Sequence, residues 1–504
     1  MKDNILFWVS KDLLNFGIAN EIQKKYDANL YAIVETYDKP KKFFQNQNLV
    51  NFKKTWYLDN LNVQNKKPNI EYLETKESQY DMNLWDIVYS ERLFSGFNKY
   101  HIFSHDEIFS LLEQEFILFE KILDEAKPNF VIMRIPDFHH LKMFHALCRK
   151  KNIKVLIMNR TKFSFNLWFI SQEPNKLDIA ENISESTISS ISDINEKLKE
   201  LESKKQLKKQ SSQGQDFFDM LKKKTLRSIL ELLLSRGINN DRERFLDVGR
   251  TRTKLLLHTI SGLLKSKYRE SFINNKLKKH VQSDRKFAYF PLHVEPERAL
   301  LIDAPYFVNQ IEVIKNVAKS LPVDCALYVK EHPIMKKLNW RRTSFYKQIM
   351  DLPNVVLIHP DVDSQELIKN CSIVITITGT GGLQAAFFKK PSITFADTIY
   401  SKLPSAFRVN NIEELPVLIK TALNTEIDEK ELANTVNHIV GNSFEFDNID
   451  LIDESYPFHG AVLTNLELKN EQMENFLDKN KKLFEKLTHE HIKKITKLKE
   501  NHKS

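Results

Sequence analysis

The chain has 504 residues, 42% of them hydrophobic and 28% charged, with a formal net charge of +9; this is the composition of a soluble globular protein too long for one compact core and without the apolar run of a membrane span. Three scattered cysteines, Cys148, Cys325 and Cys371, argue against a disulfide framework or a zinc site and are expected in the core. The first residues run into a strand-like segment without a leader pattern, so a cytoplasmic location is expected.

From the amino terminus, Ile5 to Val9 reads as a strand, Leu13 to Lys25 as a helix and Leu30 to Val34 as a second strand. Helical periodicity follows from Ile108 to Ala126, then a strand at Phe130 to Arg134, a helix at Leu141 to Lys150 and a strand at Val155 to Asn159. Helices alternating with short apolar strands imply a parallel sheet. Between residues 201 and 280 there are 20 Lys and Arg against 8 Asp and Glu, a balance of +12 that leaves the rest of the chain at −3. In this segment basic runs at Lys204–Lys209 and Lys222–Arg227 lead into an amphipathic stretch, Leu226 to Leu234, and a further apolar run spans Leu255 to Leu264. Such helices can lie on an anionic bilayer; the plainer alternative is a solvated linker. The basic runs lack the interleaved aromatics of a nucleic-acid reader.

The alternation resumes with a strand near Phe287, a helix at Val308 to Ser320, a strand at Cys325 to Val329, a helix at Ser344 to Met350 and a strand at Val355 to Ile358. A helix at Ser364 to Asn370 leads to the strand Ile373 to Ile377 and a helix from Leu383 to Phe388. The chain therefore divides into an amino-terminal Rossmann-like domain (1–175), a basic helical segment (176–284), a second Rossmann-like domain (285–425) and a carboxyl-terminal extension (426–504). In the extension, Met473, Phe476, Leu483, Leu487, Ile492, Ile495 and Leu498 fall near heptad spacing, as in a solvated tail helix or a short coiled coil.

Two runs carry the chemistry. Thr378-Gly379-Thr380-Gly381-Gly382 joins a strand to a helix, where free N–H groups, the helix dipole and two hydroxyls suit a phosphate. A tight turn with no ligand fits the same pattern. Lys330-Glu331-His332-Pro333 follows another strand, and the proline holds the chain extended beyond it, which places the imidazole at the sheet edge. Ligands bind at such strand ends in open α/β sheets. In the first domain, Arg134-Ile135-Pro136-Asp137-Phe138-His139-His140 is the loop after a strand, and Asp137 is the candidate base for an acceptor hydroxyl. Asp137 also suits a helix cap; His139, His140 and Asp12 are alternatives. Asp361-Val362-Asp363 is the one Asp-x-Asp spacing considered for a metal, and Asp363 is better explained as a helix N-cap. No metal or cofactor is expected.

These runs, with Tyr289-Phe290-Pro291-Leu292-His293-Val294-Glu295-Pro296-Glu297, Ala304 to Gln310, Asp363-Ser364 and Pro391 to Phe395, resemble the capsule polysaccharide biosynthesis proteins, a group similar to bacterial Kdo transferases. The resemblance covers roughly residues 286–416. It implies a GT-B fold, two facing Rossmann-like domains, and a glycosyltransferase that moves a sugar from a nucleotide donor, with CMP-linked Kdo or sialic acid expected, to a polysaccharide or glycolipid acceptor. It places Lys330, His332, Pro333 and the 378–382 loop around the nucleotide, with Glu331 beside them and His332 as a catalytic donor. The family usually carries a glutamate on the helix after the glycines; here it is Gln384, and Glu295 is the candidate to substitute for it. A CDP-glycerol-type phosphotransferase and a non-catalytic assembly scaffold are the alternatives.

Overall fold

The computed structural model describes residues 2–178, 248–249, 251–447, 451 and 467–500, apart from 11, 37, 59–60, 62–66, 95, 164–166, 282–284, 337 and 339. The expected basic runs before residue 248 lie outside the described residues. Strands β1 (Asp3–Val9), β2 (Ala28–Val34), β3 (Phe52–Tyr57), β4 (Phe130–Met133), β5 (Lys154–Arg160) and β6 (Leu167–Ser171) belong to a sheet of order β13-β6-β5-β4-β1-β2-β3, where β13 is Phe444–Glu445. The five strands from β1 to β5 run parallel, as alternation with helices requires, but β6 is antiparallel to β5 and β13 antiparallel to β6. The second sheet, built from β7 (Lys286–Pro291), β8 (Cys325–Lys330), β9 (Val355–Ile358), β10 (Ile373–Thr376), β11 (Ser392–Thr394) and β12 (Ala406–Arg408), is parallel throughout, in the order β12-β11-β10-β7-β8-β9. Two such sheets, each covered by helices, form the GT-B arrangement. Phe163 and Phe169 of the first unit share an apolar cluster with Leu383, Phe387 and Tyr400 of the second, which joins the two. All three cysteines are buried and free. No helix among the described residues is long and apolar enough to cross a membrane.

The carboxyl-terminal extension departs from the solvated helix expected of it. Its chain forms two helices, Asn470–Lys479 and Lys481–Glu500, and the apolar stripe is the inner face of the first domain's core. Phe484, Leu487 and Ile495 are fully buried there with Phe7, Phe16 and Ile22. A spacing of three and four residues is common to a coiled-coil seam and to a helix laid on a sheet, so periodicity alone leaves the two undistinguished. At Gly17, on the helix Leu14–Lys25, an added Cβ would overlap the Phe484 ring. Gly17→Ala is therefore expected to lower stability by about 1–3 kcal/mol through overpacking despite its better helix propensity. Chemical denaturation checks this, and a stabilised variant would show that Phe484 is free to move.

Candidate active site

Chain connections reverse direction at two places. In the second sheet β7 is flanked by β8 on one side and β10 on the other, so the chain leaving β7 opens a crevice between the loops after β7, β8 and β10. That switch point is where an open α/β sheet binds ligands. Pro291 to Val294, His332, Thr376 and Thr378 to Gly381 do line one cleft, about 440 Å³ in volume, together with Glu297, Arg298 and Asp303. The first domain reaches the cleft through Lys162 and Asn175.

The imidazole beside the glycine loop is that of His293. Its Nε2 accepts the Thr378 N–H at 3.2 Å and lies 3.3 Å from the Thr376 hydroxyl and 3.6 Å from where a Cβ on Gly379 would sit. Because an amide can only donate, Nε2 carries the lone pair and Nδ1 the proton, 3.8 Å from the Glu297 carboxylate. His293 is itself fixed through its backbone: the N–H donates to Gln310 Oε1 at 2.8 Å, and the carbonyl accepts from Gln310 Nε2 and Arg341. His332, expected in this position, lines the same cleft from the β8 loop. Its Nδ1 accepts from the Ile334 N–H at 3.2 Å, which leaves the proton on Nε2, and no partner for that donor is seen among the described residues. Burial keeps the ring below the ordinary histidine range, against the pull of Glu297 and Glu331.

The charged neighbours of His332 do not line the cleft. Glu331 is fully buried and binds Arg341 Nε at 2.8 Å, the Tyr346 hydroxyl at 2.7 Å and the His332 N–H at 2.6 Å. Its carboxylate shapes the His-Pro turn from beneath. Lys330 is also buried, with Nζ on the Ser364 hydroxyl at 2.7 Å. Glu295, proposed to substitute for a missing glutamate, is held by Arg341 Nη1 at 2.7 Å and by Gln310. None of the three lines the cleft, because each finds an interior partner from a distant part of the chain. Pro333 begins a short 3₁₀ turn, Pro333–Lys336, and is exposed.

The glycines serve packing more than ligand approach. A side chain on Gly379 would meet Thr376 Oγ1 at 2.5 Å, and one on Gly382 would meet the Tyr400 hydroxyl at 2.8 Å. Two of the loop's N–H groups are used internally, Thr378 on His293 and Gly379 on Thr376 Oγ1 at 3.1 Å. Those of Thr380 and Gly381, at the start of the helix Thr380–Ala386, bind nothing among the described residues, and both residues line the cleft. The Thr378 hydroxyl is buried and likewise without a partner there. Gln384 is half-buried and outside the cleft lining.

Lys162 carries no motif that marks it, because its role depends on the two domains meeting. It follows β5, and its φ of 68° lies in the left-handed region, a conformation that costs a non-glycine residue about 1–3 kcal/mol. From there Nζ crosses to the second domain and donates to the Thr378 carbonyl at 3.0 Å. Burial pushes its ammonium below the ordinary lysine value, while Asp303 and Glu297 act to raise it and Arg298 adds to the depression. Arg298 bridges in the opposite direction: Nε donates to the Pro136 carbonyl at 2.8 Å and Nη1 pairs with Asp303 at 2.8 Å, while Nη2 is buried without a partner among the described residues. Burial acts to raise Glu297, but the His293 ring, aided by His332 and Lys162, holds its carboxyl below the usual range.

Across from these, Asp137 pairs with Arg134 at 2.6 Å through Oδ2, while its Oδ1 is buried and unpartnered among the described residues. Burial lifts its carboxyl above the ordinary value against Arg134, the direction that suits a base. It does not cap the helix His139–Lys150, whose N-cap, Phe138, has no side-chain bond. Neither does it line the cleft as formed here. Asp12 accepts from the Leu14 N–H at 3.2 Å at the head of the first helix, as a capping residue would. His140 is buried 3.7 Å from Glu35, and His139 is wholly interior. Asp363 caps its helix through the Gln365 N–H at 3.0 Å.

Residues 185–403 match the family of capsule polysaccharide biosynthesis proteins, the resemblance read from the motifs. A stretch of 132 residues, 26% of the chain, is 26% identical to Protein FixF of Sinorhizobium fredii (strain NBRC 101917 / NGR234) and spans 31% of that protein's length. Among solved structures, the chain is similar to the Kdo 2,7 transferase of Thermosulfurimonas dismutans KpsC, at 12% identity and a TM-score of 0.31 over 76% of this chain and 97% of that one. It is also similar to the UDP-GlcNAc 2-epimerase of Methanocaldococcus jannaschii, at 14% identity and a TM-score of 0.25 over 88% and 98% of the two chains.

Proposed function

We propose that the protein is a glycosyltransferase of capsule or surface polysaccharide biosynthesis, taking a sugar from a nucleotide donor held in the cleft to a polysaccharide or glycolipid acceptor. The observation that carries this reading is the cleft itself: the loops after β7, β8 and β10 converge at the switch point of the second sheet with His293, His332, Lys162 and Arg298 on its walls. Donors on Thr380, Gly381 and His332 Nε2, without partners among the described residues, and two cations suit a phosphate that gains charge as the sugar departs. The family match supports the same assignment. An acidic sugar on a CMP donor fits the two cations, which then serve a carboxylate as well as a phosphate.

Leaving-group stabilisation falls to these protein groups without a metal ion. The capping role of Asp363 and the 84% exposure of the Asp361 side chain support this, since neither carboxylate lines the cleft. Asp137, with its raised carboxyl, takes the acceptor proton once acceptor and donor bring the two loops together. A membrane surface that carries a lipid-linked acceptor is the partner proposed for the basic segment 201–280.

Titration calorimetry of the full chain with CMP, UDP, GDP and CDP-glycerol tests the reading. Binding of CMP in preference to the others is expected. Selectivity for CDP-glycerol would assign a phosphotransferase, and the absence of binding by any nucleotide would leave a scaffold.

A further inference from the structure

The helix Arg252–Lys276 belongs to neither sheet, and none of its residues lines the cleft. On it Leu257, Ile260, Leu264 and Tyr268 are 67%, 48%, 69% and 64% exposed. Steps of three and four residues set them in one stripe along the helix. Single exposed hydrophobics are ordinary; a row of four large ones is the mark of a contact surface. Lys265 and Lys267 are exposed on the flanks of that row.

The charge around the stripe is one-sided. The helix carries six Lys and Arg against one acid, Glu270, and Glu270 is engaged by Lys336 at 3.3 Å. Lys99, from the first domain, adds a further cation beside Lys265 and Arg269: burial and then these two push its ammonium below the usual lysine value. His258 is held down by burial and then by Lys99 and Lys265. The cations thus crowd one another.

We infer that this face of the helix Arg252–Lys276 docks on an anionic lipid bilayer, with Leu257, Ile260, Leu264 and Tyr268 at the acyl boundary and Lys265 and Lys267 among the headgroups. Charge complementarity selects this occupant. A second copy of the helix would set lysine against lysine, whereas a bilayer supplies apolar depth and negative headgroups in one surface. The helix is tied to the cleft by Arg269, whose Nη1 donates to the Trp340 carbonyl at 3.0 Å; the next residue, Arg341, holds the carbonyl of His293. The inference deepens the membrane partner proposed above and is tested apart from nucleotide binding.

The test is sedimentation of the full chain with vesicles of phosphatidylglycerol and phosphatidylcholine, and with phosphatidylcholine alone. Wild type is expected to pellet only with the anionic vesicles, and less at high salt. Leu257→Asp combined with Leu264→Asp should lower the bound fraction about tenfold or more, with melting temperature and nucleotide affinity unchanged. Should that variant fold poorly, Lys265→Gln with Lys267→Gln is expected to give a loss of about fivefold or more. Binding by either folded variant as tight as wild type overturns the proposal. So does a wild type that stays in the supernatant with both vesicles, the result expected if residues 179–250 or another protein cover the stripe.

Discussion

His293→Ala is expected to reduce turnover about a hundredfold or more, and His332→Ala about tenfold. The difference follows from what each ring holds. His293 Nε2 takes the Thr378 N–H and meets the Thr376 hydroxyl, which in turn takes the Gly379 N–H. Removing the ring strands a buried donor, at a cost of about 1–3 kcal/mol, and frees the loop whose next two N–H groups, on Thr380 and Gly381, have no partner among the described residues. Misplacing such donors by about 1 Å is enough for a hundredfold loss. His332 supplies one Nε2–H from an exposed turn, and its loss leaves the turn held by Glu331, Arg341 and Tyr346. Single-turnover transfer with saturating donor, alongside calorimetric nucleotide affinity, separates the two. Near-equal effects would show that the glycine loop keeps its shape without His293.

The order of strands and helices is legible because alternation of short apolar runs with amphipathic ones has few other readings. The glycine loop and the His-Pro turn are legible for a related reason, as each breaks a short apolar run at its end. Partners are not. Glu295, Glu331 and Lys330 are polar residues near a site, but Gln310, Arg341 and Ser364, which engage them, lie 15, 10 and 34 residues away along the chain. The position nearest the loop goes to His293 because Gln310 and Arg341 clamp its backbone, and neither clamp carries a local signal. Lys162 is further out of reach, since its partner, the Thr378 carbonyl, is 216 residues on and in the other domain. The carboxyl-terminal helices show the converse limit: their stripe is plain in sequence, but which surface it covers is a tertiary fact.

His139→Leu is expected to lower stability by about 3–5 kcal/mol near neutral pH, the cost of leaving buried carboxylates without their counter-ion. The ring is wholly buried, with Nδ1 on Glu91 at 2.8 Å and Nε2 on Glu115 at 2.9 Å, both carboxylates being buried as well. With both nitrogens donating, it is an imidazolium. Burial acts to lower its pKa, but Glu115 and Glu91 overcome this and raise it from 6.5 to about 10. A group raised on folding contributes stability that is whole below its unfolded value and is lost as pH climbs through the folded one. The difference between wild type and variant should therefore be full at about pH 6.5 and shrink towards about pH 10. On the acid side, burial acts to raise Glu91 but His139 holds its carboxyl below 4.5, so its share fades as pH falls through that depressed value. Urea unfolding across this range measures both limbs, and a difference that does not vary with pH would mean the ring is neutral. The consequence reaches the site, because His139 opens the helix that follows the Asp137 loop. That loop also receives Arg92 on the Asp137 carbonyl at 3.3 Å and Arg298 of the second domain on that of Pro136. A folded His139 variant should keep nucleotide affinity and lose turnover, because the proposed base, Asp137, stands on that loop.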